Sequence, residues 1–502
     1  MKLADILSGI EILDGSYSPD TEISDIVYDT RQGKEAPGTI FVCISGYQFD
    51  GHNYAKSAYD KGVRIFAVEK EIILPKDASV ILVKSTRKFM AIASANFFGN
   101  PAKELFTIAI TGTKGKTSTS YMLKSIFNAH GKKVGIIGTL GVSYKGTEIK
   151  TTMSTPDSYD LHRYFRDMAD SGCDIMIMEA SSQGFMLDRT YGIDFDVGVF
   201  TNISPDHISL YEHKDFDDYI RCKKTLFKQC KLGFVNKDSE HFLSITEGSH
   251  CPITTFAITN KADFNAVNPA FTSGDNCLKT EFTSIERNSF EEIKNRIELN
   301  IPGFFTIYNA ISAIAVARKL GVPYPAIKEG LKNTFVRGRM ELVPTNTDFT
   351  VIIDFAHNEL SVQNLFETIK QYNPKRIISV FGCGGNRSKL RRYSMGEIIG
   401  RNSDISVVTS DNSRYERIED IVADILIGIN KTTNEHVIIY DRKKAIEHAI
   451  DIAKKGDVIL LIGKGDEDYE EREGVKYPFS ERQIVLDYVK SKYGNSKKPQ
   501  DS

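Results

Sequence analysis

Residues 106–118 read FTIAITGTKGKTS. Phe106–Ile110 is a short apolar run of the kind that forms a buried strand. Thr111–Lys116 is a loop of Gly, Thr and Lys. The stretch that follows, TSTSYMLKSIFNAHG, repeats its apolar residues at helical spacing, at Met122, Leu123, Ile126 and Phe127. A strand, a glycine-bearing loop and a helix in that order bring a curled backbone and the free N–H groups of a helix start to one place. That arrangement cradles phosphates, with the charge of Lys116 added. Gly112, Thr113, Lys114, Gly115, Lys116 and Thr117 form the candidate cradle, and the Thr117 hydroxyl is placed to reach a Mg²⁺ ion. The strict pattern has glycine where this chain has Ile110, so the motif is a variant, TGTKGKT.

Further strands follow the loop: KVGIIG (133–138), DIMIMEA (174–180) and DVGVFTN (196–202). Strands alternating with helices predict an α/β fold with a parallel sheet covered on both faces. Before the loop, DIVYDTR, GTIFVCISG and RIFAVEK read as strands and AKSAYDKG as a helix. Residues 234–298 read as mixed strands and loops, and YNAISAIAVARKL (308–320) as the helix that closes the middle unit. Beyond it, VIIDFA, RIISVFG, ISVVTS, HVIIY and DVILLIG are strands of a Rossmann-type unit lacking GxGxxG. The expected domains are 1–103, 104–338 and 339–502, as a chain of 502 residues suggests. The polar tail, 495–502, reads as disordered.

Hydrophobic residues make up 41% of the chain and charged residues 26%, ordinary globular values, and the formal net charge is −2. No basic block argues for nucleic acid as a partner. The seven cysteines are odd in number and none are spaced CxxC, which speaks against a disulfide framework or zinc site and for a reducing cytoplasm. The N-terminus lacks the apolar core of a signal peptide, and no apolar run approaches the ~20 residues that span a bilayer.

Ligands of open α/β sheets bind at the carboxyl ends of strands. Glu179 ends one strand and Asp206 and His207 follow another, so Glu179 and His207 are candidate Mg²⁺ ligands. Read bare, Glu179 caps a helix and His207 is a loop histidine.

The ordered motifs resemble those of the Mur ligases and, within them, of the UDP-N-acetylmuramoyl-tripeptide synthetases. They are YDTR (28–31) with DGH (50–52), TGTKGKT (111–117), STP (154–156), MEASSQG (178–184) with Arg189, TNISPDH (201–207), and Lys223 in YIRCKKTLF. GFFTIYNA (303–310), GRME (338–341), DFAHN (354–358), GCGGNR (382–387), DNSR (411–414) and GKGDE (463–467) continue the series. The resemblance spans nearly the whole chain. It implies an N-terminal UDP-binding domain, a central ATPase domain and a C-terminal Rossmann-like domain that closes on the site.

Carried over position by position, Thr30, Ser154, Thr155, Ser181 and Arg189 are implied contacts to UDP-muramoyl-dipeptide. Asn309 is implied to meet the adenine, and Arg339, Asp354 and His357 the rest of ATP. The resemblance implies that Lys116, Glu179, His207 and Lys223 carry the catalysis, and that Thr117, Glu179, His207 and Lys223 hold the Mg²⁺. Lys223, a solvated helix lysine when read bare, is by resemblance the lysine carbamylated with CO₂, which turns a cation into an anionic oxygen ligand. Arg392, Asp411, Asn412, Arg414, Gly463 and Glu467 are implied contacts to the incoming amino acid.

The implied reaction is ATP-dependent: a substrate carboxylate takes the γ-phosphate, and an amine displaces phosphate from the acyl phosphate to leave an amide. The diaminopimelate-adding branch usually reads DNPR where this chain reads DNSR. Arg414 is retained and suits the distal carboxylate of meso-diaminopimelate. Gln183, the loop EHKDFDDY and TGTKGKT lean toward the lysine-adding enzymes, while Asp466 replaces a usual His and Asn386 a usual Asp. A folylpolyglutamate-type ligase is disfavoured by the YDTR-bearing N-terminal domain, and a non-catalytic paralogue by Lys116, Glu179, His207 and Lys223 together. The expected enzyme is a cytoplasmic monomer acting on small molecules.

Overall fold

In a computed structural model, residues 1–46, 49–205, 208, 212–274, 277–288 and 291–494 are described. The polar tail and His207 lie outside them. The chain divides into two compact units, one holding 1–265, 286–292 and 309–330, the other 266–285, 293–308 and the residues from Leu331 onward.

The first unit begins with a five-stranded sheet in the order Asp14–Gly15, Ser79–Leu82, Ile65–Val68, Thr39–Val42, Asp25–Val27. All its pairs are parallel except the first. The strand predicted over DIVYDTR stops at Val27. Asp29 accepts a hydrogen bond from Arg31 N at 3.0 Å and turns Thr30–Gln32 into a single 3₁₀ turn at the strand's carboxyl end.

Its second sheet is the one predicted around the glycine loop. Phe106–Thr111 lies between Ile175–Glu179 and Phe195–Phe200, both parallel to it, and Val134–Gly138, Cys230–Asn236 and Ile253–Ala257 extend the parallel set. The strand is apolar on both faces because helices cover both. The helices Lys116–Ala129 and Ser158–Asp170 turn Met122, Leu123, Ile126 and Phe127, and Leu161, Phe165 and Met168, into the interior. Register puts Glu179 opposite Ile110 and Phe200 opposite Thr111, so Glu179, Thr201 and the glycine loop leave the sheet at one edge. Where the sequence suggested only mixed strands and loops, the long strands Phe264–Gly274, Cys277–Arg287 and Glu292–Leu299 form, most of their residues belonging to the second unit.

The second unit contains a six-stranded sheet in the order Glu341–Val343, Thr350–Asp354, Val458–Ile462, Ile377–Phe381, Ile405–Val408, Glu435–Ile438. Only the first pair is antiparallel. Two apolar layers cover its faces, one around Phe366, Ile399 and Ile425 and the other around Ile446, Ile450 and Val485. DFAHN, GCGGNR, DNSR and GKGDE all leave this sheet at the carboxyl ends of strands.

Candidate active site

The phosphate loop is closed on itself by backbone that only glycine allows. Gly112 has φ 151° and Gly115 φ 85°, and a Cβ at either would collide, with Thr201 Oγ1 and with Asn309 Oδ1 respectively. Asn309 therefore stands directly against the loop. The segment after the neighbouring strand stitches the loop from the side. Thr113 N donates to Asn202 O at 2.9 Å, Lys114 N to Asn202 Oδ1 at 2.9 Å, and Thr201 Oγ1 to Lys114 O at 2.7 Å.

Two lysines meet at one carbonyl. Lys116 Nζ donates to Gly112 O at 2.8 Å and to Thr113 O at 3.2 Å, while Lys223 Nζ donates to Gly112 O at 2.9 Å. Lys223 is 1% exposed, which departs from the solvated helix lysine of the bare reading. The helix Phe216–Lys224 turns it inward over the ring of Tyr219, 4.5 Å from the centroid, and Tyr219 Oη shares a hydrogen bond of 3.0 Å with Thr113 Oγ1. Its neighbour Lys224 points away, to Glu247 at 2.9 Å.

Glu179 is buried and holds a fixed pose. Oε1 accepts from Thr117 Oγ1 at 2.9 Å and Thr139 N at 3.0 Å, and Oε2 from Thr139 Oγ1 at 2.9 Å. A carboxylate and a hydroxyl beside a phosphate cradle are hard oxygen donors and fit Mg²⁺. As an ammonium, Lys223 would repel such an ion; as a carbamate it would add an oxygen ligand.

From Glu179 the chain runs into a second cluster. Thr155 Oγ1 donates to Glu179 O at 2.8 Å and accepts from Ser181 N at 2.9 Å, and Ser181 Oγ caps the helix Ser182–Met186. Arg189 Nη1 donates to Thr155 O at 2.9 Å and its Nε to Asp157 at 2.9 Å. Ser154 is half-buried beside them. Arg189 also lines a cleft of about 330 Å³ with Tyr28, Thr30, Arg31, Phe49 and Arg87. The expected UDP-substrate residues Thr30 and Arg189 thus share one cavity. Arg87 and Tyr28 were not foreseen as its lining. Burial pulls the Arg87 guanidinium below its ordinary range, and Asp157 opposes that.

In the second unit, Asp354 accepts from Met340 N at 2.7 Å and Ala356 N at 2.8 Å. Burial raises its carboxyl, and the charge of Arg339 opposes the rise. Arg339 lies over the Phe355 ring at 4.6 Å, and His357 Nδ1 sits 2.9 Å from Phe355 O on the exposed side.

The DNSR and GKGDE loops share a buried charge network. Lys464 is fully buried; it donates to Asn412 Oδ1 at 3.1 Å and lies 3.6 Å from Asp411 and 3.5 Å from Glu467. Asn412 Nδ2 donates to Glu467 at 2.7 Å. Burial pushes both carboxyls up. For Asp411, Lys464 and Arg442 outweigh it and the net is below the ordinary value; for Glu467 burial prevails. At Gly463, φ is 114° and a Cβ would stand 3.1 Å from Asp411 Oδ2, so this glycine lets the strand end pass beside the carboxylate. Arg442, buried behind, donates to Ser410 O and Ile462 O and pairs with Glu481. Neither Lys464 nor Arg442 was singled out from sequence, where each is one basic residue among many.

Arg414 has φ 51°, donates through Nη1 to Gly385 O at 2.6 Å and lies 3.5 Å from Glu471. Its backbone is bridged to the strand Tyr469–Arg472 through Arg414 N to Glu471 O at 3.1 Å. Arg392 is the residue expected at the incoming amino acid. It is buried and clamped by Glu416 at 2.8 Å and Asp424 at 2.9 Å, and reaches the GCGGNR loop only through Gly384 O at 3.3 Å. It braces that loop from within.

Residues 22–98 match the model of the Mur ligase family catalytic domain, 110–317 the Mur ligase middle domain, and 338–465 the Mur ligase glutamate ligase domain. A UDP-N-acetylmuramoyl-L-alanyl-D-glutamate–2,6-diaminopimelate ligase of Clostridioides difficile is 38% identical over 97% of this chain and 99% of its own length. A ligase of the same name from Clostridium perfringens is 37% identical over 98% and 100%. A solved structure of a ligase of that name covers 98% of this chain with TM-score 0.72 and 25% identity, over 99% of its own chain. The fold is shared more widely: a Mycobacterium tuberculosis folylpolyglutamate synthase matches 82% of this chain and 96% of its own with TM-score 0.59 at 17% identity. With its N-terminal, middle and C-terminal parts all matched and relatives of this identity aligned end to end, the chain belongs to the Mur ligase family.

Proposed function

We propose that this chain is an ATP-dependent ligase that joins meso-diaminopimelate to UDP-N-acetylmuramoyl-L-alanyl-D-glutamate in the making of peptidoglycan precursor. The observation that carries the reading is the meeting of Lys116 and Lys223 at Gly112 O of the phosphate loop, with Thr117, from the helix that loop opens, bonded to the buried Glu179. The full-length relatives bearing that activity in their names support the choice of substrates. The domain limits 1–103, 104–338 and 339–502 belong to the same proposal, as do a cytoplasmic setting and a monomeric enzyme.

Two anions must meet in the first step, the substrate carboxylate and the γ-phosphate. The loop N–H groups at the start of the helix Lys116–Ala129 and the Lys116 ammonium are fixed beforehand, so they stabilise the spreading charge without reorganising. Thr117, Glu179 and a carbamylated Lys223 are the residues to hold Mg²⁺, which when bound neutralises phosphate charge. Arg189, with Thr155 and Ser181, holds the UDP-linked substrate against the strand end that carries Glu179. The amine of the amino acid then attacks the acyl phosphate, and phosphate leaves. Arg414 takes the distal carboxylate and Glu467 the distal ammonium, with Asp411, Asn412 and Gly463 shaping their pocket.

The test is phosphate release by the full chain with ATP and Mg²⁺. Release should require both UDP-muramoyl-dipeptide and a diamino acid. In a panel of meso-diaminopimelate, L-lysine, L-ornithine and lanthionine, diaminopimelate should give the highest kcat/KM. Lysine in first place would overturn the choice of amino acid and leave the ligase reading intact.

A further inference from the structure

Away from the ligase chemistry, two buried thiols face each other. Cys230 opens the strand Cys230–Asn236, and Cys251 stands just before Ile253–Ala257, its parallel neighbour in the register Gly233–Ile253. Their Sγ atoms are 3.5 Å apart, although the residues are 21 positions apart in the chain. Cys230 is 6% exposed and Cys251 9%. A disulfide has an S–S length of about 2.05 Å, so the sulfurs need to close by roughly 1.5 Å.

The environment explains why the thiols rest reduced. Cys251 Sγ lies 3.8 Å from Phe227 O, and a Cβ on Gly198 would stand 2.7 Å from Cys230 Sγ, so both sulfurs are packed against backbone. Burial raises both thiols, and each sulfur also feels the other. The thiolate fraction is small, and attack by bulky disulfides is blocked. A small peroxide is the oxidant class that fits.

We propose that Cys230 and Cys251 form a reversible disulfide when the protein meets a peroxide. Cys251, the more exposed, follows the surface residue His250 and reacts first. Its thiolate attacks one peroxide oxygen, the O–O bond breaks, and the departing hydroxide takes a proton to leave as water, giving a sulfenic acid. The Cys230 thiolate then attacks that sulfur and expels the hydroxyl as a second water. Two thiols and one peroxide become one disulfide and two waters. The linkage would fasten the strand Cys230–Asn236 at its start. That start follows the turn Thr225–Lys228, which itself continues the helix bearing Lys223.

The experiment treats the full-length protein with hydrogen peroxide, blocks residual thiols, and maps peptides without reduction. The expected product is a peptide pair joining Cys230 to Cys251, two hydrogens lighter than the reduced pair and separated again by dithiothreitol. The accessible thiol count in denaturant should fall by two, and in Cys251→Ser that loss should disappear. A linkage through a different cysteine, or sulfinic acid at Cys251 with no cross-link, would overturn the proposal. Because the wild-type map alone decides between these outcomes, a serine variant that fails to fold does not rescue the idea.

Discussion

Lys116 and Lys223 direct their ammonium groups to the same carbonyl, Gly112 O, yet the chemistry asks different things of them. Lys116 screens charge that appears only as phosphate is transferred, so Lys116→Ala should lower turnover by about 10²–10³-fold with little change in the melting temperature. Phosphate release and thermal melting check the two halves of that statement. Lys223 is nearly fully buried while Lys224 pairs with Glu247 at the surface. Lys223→Ala should therefore be as damaging, by roughly 10²-fold or more, and Lys224→Ala close to silent. A short carboxylic acid added to Lys223→Ala should restore part of the rate, standing in for the carbamate oxygens. If Lys224→Ala were the dead variant, the assignment of the modified lysine would fall.

At the scale of elements, the DNSR loop is held by the strand Tyr469–Arg472 rather than by a proline. Ser413 occupies the position of the usual Pro, and the backbone of Arg414 is tied to Glu471 and Glu473 instead. Arg414→Asn should cut the lead of diaminopimelate over lysine by about tenfold or more, since a charge-assisted contact to one distal carboxylate is lost. Glu467 adds a pH dependence. Burial holds its carboxyl above the ordinary value, so on acidification it is neutralised earlier than a free glutamate would be, and the grip on an ammonium goes with its charge. KM for the diamino acid should thus climb as pH falls, and Glu467→Gln should flatten that limb.

The helix Ser158–Asp170 carries a second pH signature, this one in stability. His162 is 2% exposed and, among the described residues, neither ring nitrogen has a hydrogen-bond partner; burial alone lowers it to about 4 from 6.5. Between those values the unfolded chain binds a proton that the folded chain refuses, so stability is lost as pH drops from 6.5 toward 4. The loss amounts to about 3 kcal/mol at the low end. Urea unfolding of wild type and His162→Phe at both ends of that range should show a steeper acid loss in the wild type.

For the whole molecule, the sheets and the phosphate loop were legible because short apolar strands and glycine punctuation are local signals. Phe106–Thr111, Ile175–Glu179 and Phe195–Phe200 fall where their apolar runs do. What sequence hid was burial of charge. Lys223, Lys464 and Arg442 sit in polar stretches, and only packing against Tyr219, Asn412 and Glu481 shows that they are interior. The partners of Arg392, Glu416 and Asp424, are distant in sequence, so its burial could not be read from its neighbours. The strands Cys277–Arg287 and Glu292–Leu299 were legible only as mixed strands and loops, because Lys, Thr, Glu, Ser, Asn and Arg alternate with their few apolar residues.

The placement of Phe106–Thr111 at the middle of its sheet also bears on how the protein is made. One partner strand, Ile175–Glu179, and the other, Phe195–Phe200, are translated well after it. At about 5–20 residues per second, the apolar strand leaves the ribosome roughly 5–20 s before both of its neighbours exist. Through that interval its edges can pair with other chains, so nascent protein is at its most sticky between the appearance of the phosphate loop and of Phe200. Nascent chains stalled before Phe195 should be protease-sensitive and chaperone-bound, and chains stalled well past Asn236 should be protected.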